Sequence, residues 1–187
     1  MLNSAKKKRL AVLIAALSVV TALGLAVSAG FGVMYNTEDC LPTGWYATTP
    51  VLGSLRVRET VVLCPPTGNP AIRFAMDRGW LLPQQRSFCP GNLTPYLKQV
   101  YALPGDRVTI NTSGIQVDGK PIPNTASLPT TADGRTPMPH VRLGSFVVPA
   151  GQVLLLATHA KNAFDGSYFG PVPLSDVRRR AYKTGGQ

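Results

Sequence analysis

Hydrophobic and polar positions divide the chain near residue 35. From Leu10 to Tyr35 there is no charged residue, and about 20 apolar residues suffice for a helix to cross a bilayer. Beyond Tyr35 the pattern breaks into short apolar runs punctuated by Pro, Gly, Asn and Asp, which reads as strands and turns. Arg56 to Leu63, within the segment 50–63, reads as a strand. Residues 71–85 (beginning AIRFAMDRGW) read as a short helix ended near Gly79 and Pro83. Tyr96 to Leu103 reads as a strand followed by the turn Pro104-Gly105-Asp106, with Tyr96, Lys98, Val100 and Ala102 on one face. Arg107–Ile110 and Ile115–Val117 form a hairpin, and Asp118-Gly119 is a primed turn with Lys120–Ile122 returning. Residues 123–139, rich in Thr, Pro and Ala, read as a long surface loop. Phe146–Val148 and Val153–Leu156 are strands flanking the turn 149–152, with Leu154–Leu156 central in the sheet because the run is apolar throughout. A polar loop from Thr158 to Gly170 follows, a common place for site residues.

Length and charge refine this picture. A chain of 187 residues suits one domain with an appendage. The excess of 19 Lys+Arg over 9 Asp+Glu is concentrated at Lys6, Lys7, Lys8 and Arg9 and at Arg178, Arg179 and Arg180. Neither cluster is interleaved with aromatics, so no nucleic-acid surface is expected. The arginine run reads either as a match to a negative membrane surface or as a solvated tail. The first cluster precedes the apolar run, while Glu38 and Asp39 follow it. The positive-inside tendency then leaves a cytoplasmic basic tail at 1–9, a transmembrane helix at 10–34 and an exported domain at 35–187. A cleaved signal peptide is the rival, with small residues at Val27-Ser28-Ala29. The run continues through Phe31–Tyr35 beyond a usual signal core, which favours a retained anchor.

The chemistry starts with three cysteines, at 40, 64 and 89. In an oxidising compartment an odd count leaves one thiol over. Cys64 and Cys89 each precede a proline turn, and we read them as a disulfide worth roughly 3–4 kcal/mol on the chain-entropy model. Cys40 then remains. Pro42 and Gly44 hold it on a bent, non-helical backbone, which exposes it as a nucleophile; the competing reading is a small buried cysteine in a loop. No CxxC pair and no four-ligand zinc set without both histidines is present, so neither metal nor cofactor is expected. Lys98 shares its face with apolar and aromatic neighbours. Burial there disfavours the ammonium and leaves an amine able to take a proton; alternatively Lys98 snorkels to the surface. Asp165 either holds a lysine partner or simply forms a turn before Gly166. Cys40 with His159 and Asp165 is a rival thiol-protease arrangement, and His140 in the proline-rich loop is a weaker partner.

Three stretches taken together resemble one family. They are Asn-Thr-x-Asp-Cys-x-Pro-x-Gly-x-Tyr at 36–46, Lys-x-Val-x-x-Leu-Pro-Gly-Asp at 98–106, and Phe-Asp-x-Ser-Tyr-Phe-Gly-Pro-Val at 164–172. The pattern is similar to the signal peptidase I family of serine–lysine proteases and, within it, to the TraF-type peptidases of conjugative plasmid transfer. The resemblance implies a mainly β, coiled β-barrel catalytic domain on the periplasmic side of the bacterial inner membrane, behind a single transmembrane helix. It implies Lys98 as general base, Asp165 as a supporting residue, and a pilin precursor or other exported protein as substrate, released as a linear chain or as a ring. A Cys64–Cys89 pair also fits what TraF-like sequences suggest. Two positions depart from the pattern. Cys40 stands where the family has serine, giving a thioester in place of an ester. Glu38 stands where relatives often carry Ser or Thr, and a carboxylate there would repel an oxyanion. Two further readings remain open at this level: a general signal peptidase, or a catalytically inactive assembly component of a mating-pair or secretion apparatus.

Overall fold

The computed structural model describes residues 4–85, 87–161 and 163–185, with the side chains of residues 4, 5, 7 and 26–29 excepted. Residues 1–3 of the basic tail, Asn162 of the polar loop and the side chains of Val27-Ser28-Ala29 therefore lie outside the description. Helix α1 spans Ser4–Gly30, and its described side chains are exposed. Lys8–Leu25 within it is long and apolar enough to cross a membrane. The helix stops short of residue 34. Gly32–Asn36 is instead strand β1, paired antiparallel with β2 (Gly44–Pro50).

The catalytic-sized remainder is mainly β, as expected. Strand β3 is Thr60–Leu63, helix α2 Pro70–Asp77, β4 Tyr96–Ala102, β5 Arg107–Asn111, β6 Gly114–Val117, β7 Lys120–Ile122, β8 Gly144–Val147 and β9 Gln152–Leu156. The short helix α3 is Gly166–Phe169, β10 Val172–Pro173 and β11 Val177–Lys183. A seven-stranded sheet has the order β1-β2-β11-β3-β4-β9-β10, and a four-stranded sheet the order β7-β6-β5-β8. The larger sheet does not close on itself. Register shifts in β11 (between Val177 and Arg179) and β4 (between Val100 and Ala102) mark irregularities of the kind that bend strands, which is compatible with a coiled barrel. Leu154, Leu155 and Leu156 are fully buried, each contributing about 1.5–3 kcal/mol over exposure.

Several elements differ from the sequence reading. The Arg56–Leu63 strand begins only at Thr60, because Arg58 takes a left-handed φ of 74° and Glu59 N–H donates to the Arg56 carbonyl, a turn rather than extended chain. Helix α2 is shorter than 71–85. Asn69 caps it, its Oδ1 accepting from the Ala71 and Ile72 N–H groups, and Pro70 occupies the first turn, where no N–H is missed. Gly79, at φ 69°, ends it: its N–H reaches the Met76 carbonyl while Trp80 N–H reaches that of Ala75, the paired bonds of a Schellman stop. Strands β8 and β9 flank the 149–152 turn as read, but they belong to different sheets. The arginine run is not a solvated tail but part of β11, between β2 and β3. Arg180 bonds Glu59 and the carbonyls of Leu52 and Ser54, and Arg179 reaches Thr48 and the Gly30 carbonyl.

Candidate active site

The Cys40 stretch is the loop of the β1–β2 hairpin, closed where Asn36 faces Gly44. Gly44 has a φ of 128°, a conformation L side chains rarely take. The loop is held from within. The Nδ2 of Asn36 donates to the carbonyls of Glu38 (2.8 Å), Leu41 (2.9 Å) and Pro42 (3.3 Å). The Tyr46 hydroxyl donates to the Pro42 carbonyl at 2.8 Å. Leu41 turns inward and packs with Tyr46, Val62, Leu97 and Ala181. With its neighbour so anchored, Cys40 remains a free, half-exposed thiol.

Lys98 comes from the middle of β4, opposite Val61 of β3. It is 2 % exposed, so of the two readings left open by the sequence, burial holds and snorkelling does not. Its Nζ lies 5.3 Å from the centre of the Tyr96 ring. No ion pair to Lys98 forms among the described residues. Burial pushes the Tyr96 hydroxyl well up from its ordinary value, and the Cys40 and Glu38 charges add to the rise. Tyr96 thus neighbours both the thiol and the amine. Cys40, Tyr96 and Lys98 line one cavity of about 1300 Å³. The one-face pattern holds from Tyr96 to Val100; both pack in the main core cluster. It breaks at Ala102, which joins Tyr101 in another cluster, because of the register shift in β4.

Asp165 is 1 % exposed. Its carboxylate accepts from the N–H of Ala157 at 2.7 Å and of Ser167 at 2.8 Å, so it caps α3 and ties it to the end of β9. Burial raises its carboxyl above the ordinary range, against the opposing pull of the Lys98 charge and those N–H donors. Asp165 is therefore both turn-former and electrostatic neighbour of Lys98. His159 is exposed and does not line the cavity, so the Cys40–His159–Asp165 arrangement does not assemble. His140 stacks on Tyr168 at 5.7 Å, outside the cavity lining. Glu38 is exposed and lines the same cavity as Cys40. Cys64 and Cys89 are bonded, which clamps the segment carrying α2; Trp80, Leu81 and Leu82 from that segment form part of the cavity wall.

A family model described as signal peptidase, peptidase S26, matches residues 6–183. The chain belongs to the peptidase S26 family. Among relatives, the conjugal transfer protein TraF of Agrobacterium tumefaciens (strain 15955) is 33% identical over 158 residues, 84% of each chain. The plasmid transfer protein TraF of Escherichia coli is 32% identical over 148 residues, 78% of each chain. A signal peptidase I crystal structure from Enterococcus faecalis V583 aligns with 68% of this chain and 96% of its own, at 14% identity and a TM-score of 0.37. One apolar N-terminal helix and membership of the S26 family fit membrane anchoring.

Sequence reasoning singled out Cys40, Lys98 and Asp165 but gave no role to Asn36 or Tyr168. Asn36 carried a signal nonetheless: a short amide four residues before a Cys-x-Pro bend is a residue type that bonds local backbone. Tyr168 carried none. Its ring stacks on Phe164 at 5.4 Å, its hydroxyl accepts the Leu128 N–H, and it lines the cavity.

Proposed function

We propose that this S26 peptidase is an inner-membrane enzyme whose periplasmic domain processes an exported protein, and that this protein is a conjugative pilin precursor, a reading supported by the likeness to conjugal and plasmid transfer proteins TraF. The observation that carries this reading is the meeting of a half-exposed thiol and a buried lysine in one cavity. Lys98 takes the Cys40 thiol proton as general base, and the sulfur attacks the scissile carbonyl carbon. Charge develops on that carbonyl's oxygen. The Cys40 backbone N–H, which the bonds holding the loop do not use, is its donor, while Glu38 stays solvated at the rim. Collapse of the tetrahedral species breaks the C–N bond. The leaving amine takes the proton from Lys98, and a thioester to Cys40 remains. Water then releases a linear product, or an amine of the substrate's own N-terminus attacks and releases a ring; either step returns the thiol.

Replacing Lys98 with Ala in the full-length protein tests this. Mass spectrometry of the pilin should show loss of the processed form, and a product lighter than the cleaved linear chain by one water reports ring closure in the wild type. Normal maturation with Lys98→Ala would overturn the assignment.

A further inference from the structure

The nucleophile loop has an internal support that the chemistry above does not use. Asn36 is the last residue of β1 and is 6 % exposed. Among the described residues its side chain bonds only the loop around Cys40. Its two Nδ2 protons serve three carbonyls, those of Glu38, Leu41 and Pro42, and its Oδ1 accepts the Glu38 N–H at 3.4 Å. These contacts bracket Cys40 on both sides. Extended pairing of β1 with β2 is made by backbone alone, so the strand register does not need this amide. The loop does. Leu41 precedes Pro42, which has no N–H, and a carbonyl withdrawn from water costs about 1–3 kcal/mol if left without a donor. Peptide planarity adds a directional effect. Because C=O and N–H point oppositely across a trans peptide, drawing the Glu38 carbonyl onto Asn36 turns the Asp39 N–H away from Asn36.

We propose that Asn36 is a positioning residue: it fixes the Glu38–Asp39 and Leu41–Pro42 peptide planes, which bracket the Asp39-Cys40-Leu41 bend, and thereby sets the line along which the sulfur approaches a carbonyl. This rests on the reading of Cys40 as nucleophile. Loss of aim affects the bond-forming step and leaves substrate binding in the large cavity intact, since a misplacement of about 1 Å costs on the order of 10²-fold in rate.

The test uses full-length protein in detergent and a peptide substrate, with Asn36→Leu, Asn36→Asp and Cys40→Ala compared with wild type. Asn36→Asp keeps the shape and the acceptor for the Glu38 N–H and loses all three donor bonds. Rates are normalised to the folded fraction from thermal melts. Both Asn36 variants should lower kcat by roughly 10²-fold with KM changed less than about threefold, and iodoacetamide should still alkylate Cys40 within about threefold of the wild-type rate, since the thiol itself is unaltered. Variants that keep kcat within about threefold, or that lose it only in proportion to folded protein, overturn the proposal. Cleavage retained by Cys40→Ala would instead sink the nucleophile reading itself, a result that the Asn36 variants do not produce.

Discussion

At the scale of the residue, with Cys40 as nucleophile and Lys98 as base as proposed, the sulfur changes what is asked of Lys98. A thiol gives up its proton far more readily than a hydroxyl, so a thiol–lysine pair needs a weaker base than the serine–lysine pair of the S26 family. Cys40→Ser should therefore retain cleavage, lose its sensitivity to iodoacetamide, and show a rate that climbs to higher pH than the wild type does; a pH–rate profile of the two checks this, and identical profiles would contradict it. Asp165 makes a second prediction. Its folded carboxyl is raised by burial above its ordinary 3.8, so the native state holds this proton more tightly than the unfolded chain. The contribution to stability is complete below about 3.8 and is lost as pH rises through the folded value. Relative to Asp165→Asn, wild type should thus lose melting temperature as pH climbs from 3 toward neutrality. The absence of any slope between the two would mean that the Lys98 charge and the Ala157 and Ser167 donors cancel desolvation, and a slope of opposite sign would mean that they outweigh it. Both residues were visible in the sequence, Cys40 from the odd cysteine count and Asp165 as a turn former. Whether Lys98 was buried was not, because an edge and a central strand read alike over seven residues. Its neighbours β3 and β9 are contributed by distant segments.

At the scale of the element, the wall of the cavity that carries Trp80, Leu81 and Leu82 hangs on the Cys64–Cys89 bond, which joins residues 25 apart. A loop of that size is worth about 3–4 kcal/mol on the chain-entropy model. Removing both cysteines with Cys64→Ala and Cys89→Ala should lower the melting temperature and raise KM several-fold, while kcat falls less, since Cys40 in the β1–β2 loop and Lys98 on β4 lie on segments that the bond does not join. A kcat loss with KM unchanged would remove the wall from substrate binding. The bond and the helix stop at Gly79 were legible because proline and glycine punctuate the chain. Strand β1 was not. Phe31–Tyr35 prolongs the apolar run of α1, and only its pairing with β2 makes it a strand. The place of the arginines in β11 was hidden for a related reason: their long stems reach carbonyls and Glu59 from within a sheet, which charge counting does not register.

At the scale of the whole molecule, the anchor and the groove are joined by a single residue. Helix α1 ends at Gly30 and β1 begins at Gly32. Arg179 of the central strand β11 donates to the Gly30 carbonyl at 3.0 Å and to Thr48 at 2.8 Å, so a terminal helix carbonyl is satisfied by the sheet itself. Phe31 and Tyr35 on this junction line the same cavity as Cys40. On the proposed function, a groove tied this closely to its anchor would meet a membrane-embedded substrate at high effective concentration. Deleting residues 1–30 should therefore leave cleavage of a soluble peptide within about twofold, yet slow cleavage of a precursor embedded in vesicles by roughly 10²-fold or more. Arg179→Ala, which frees the helix end without removing it, should slow only the embedded substrate and by less. Side-by-side rates on the two substrates decide the matter: an equal loss on both would mean that the helix supports the fold, and no loss on either would mean that the anchor does not deliver the groove to its substrate.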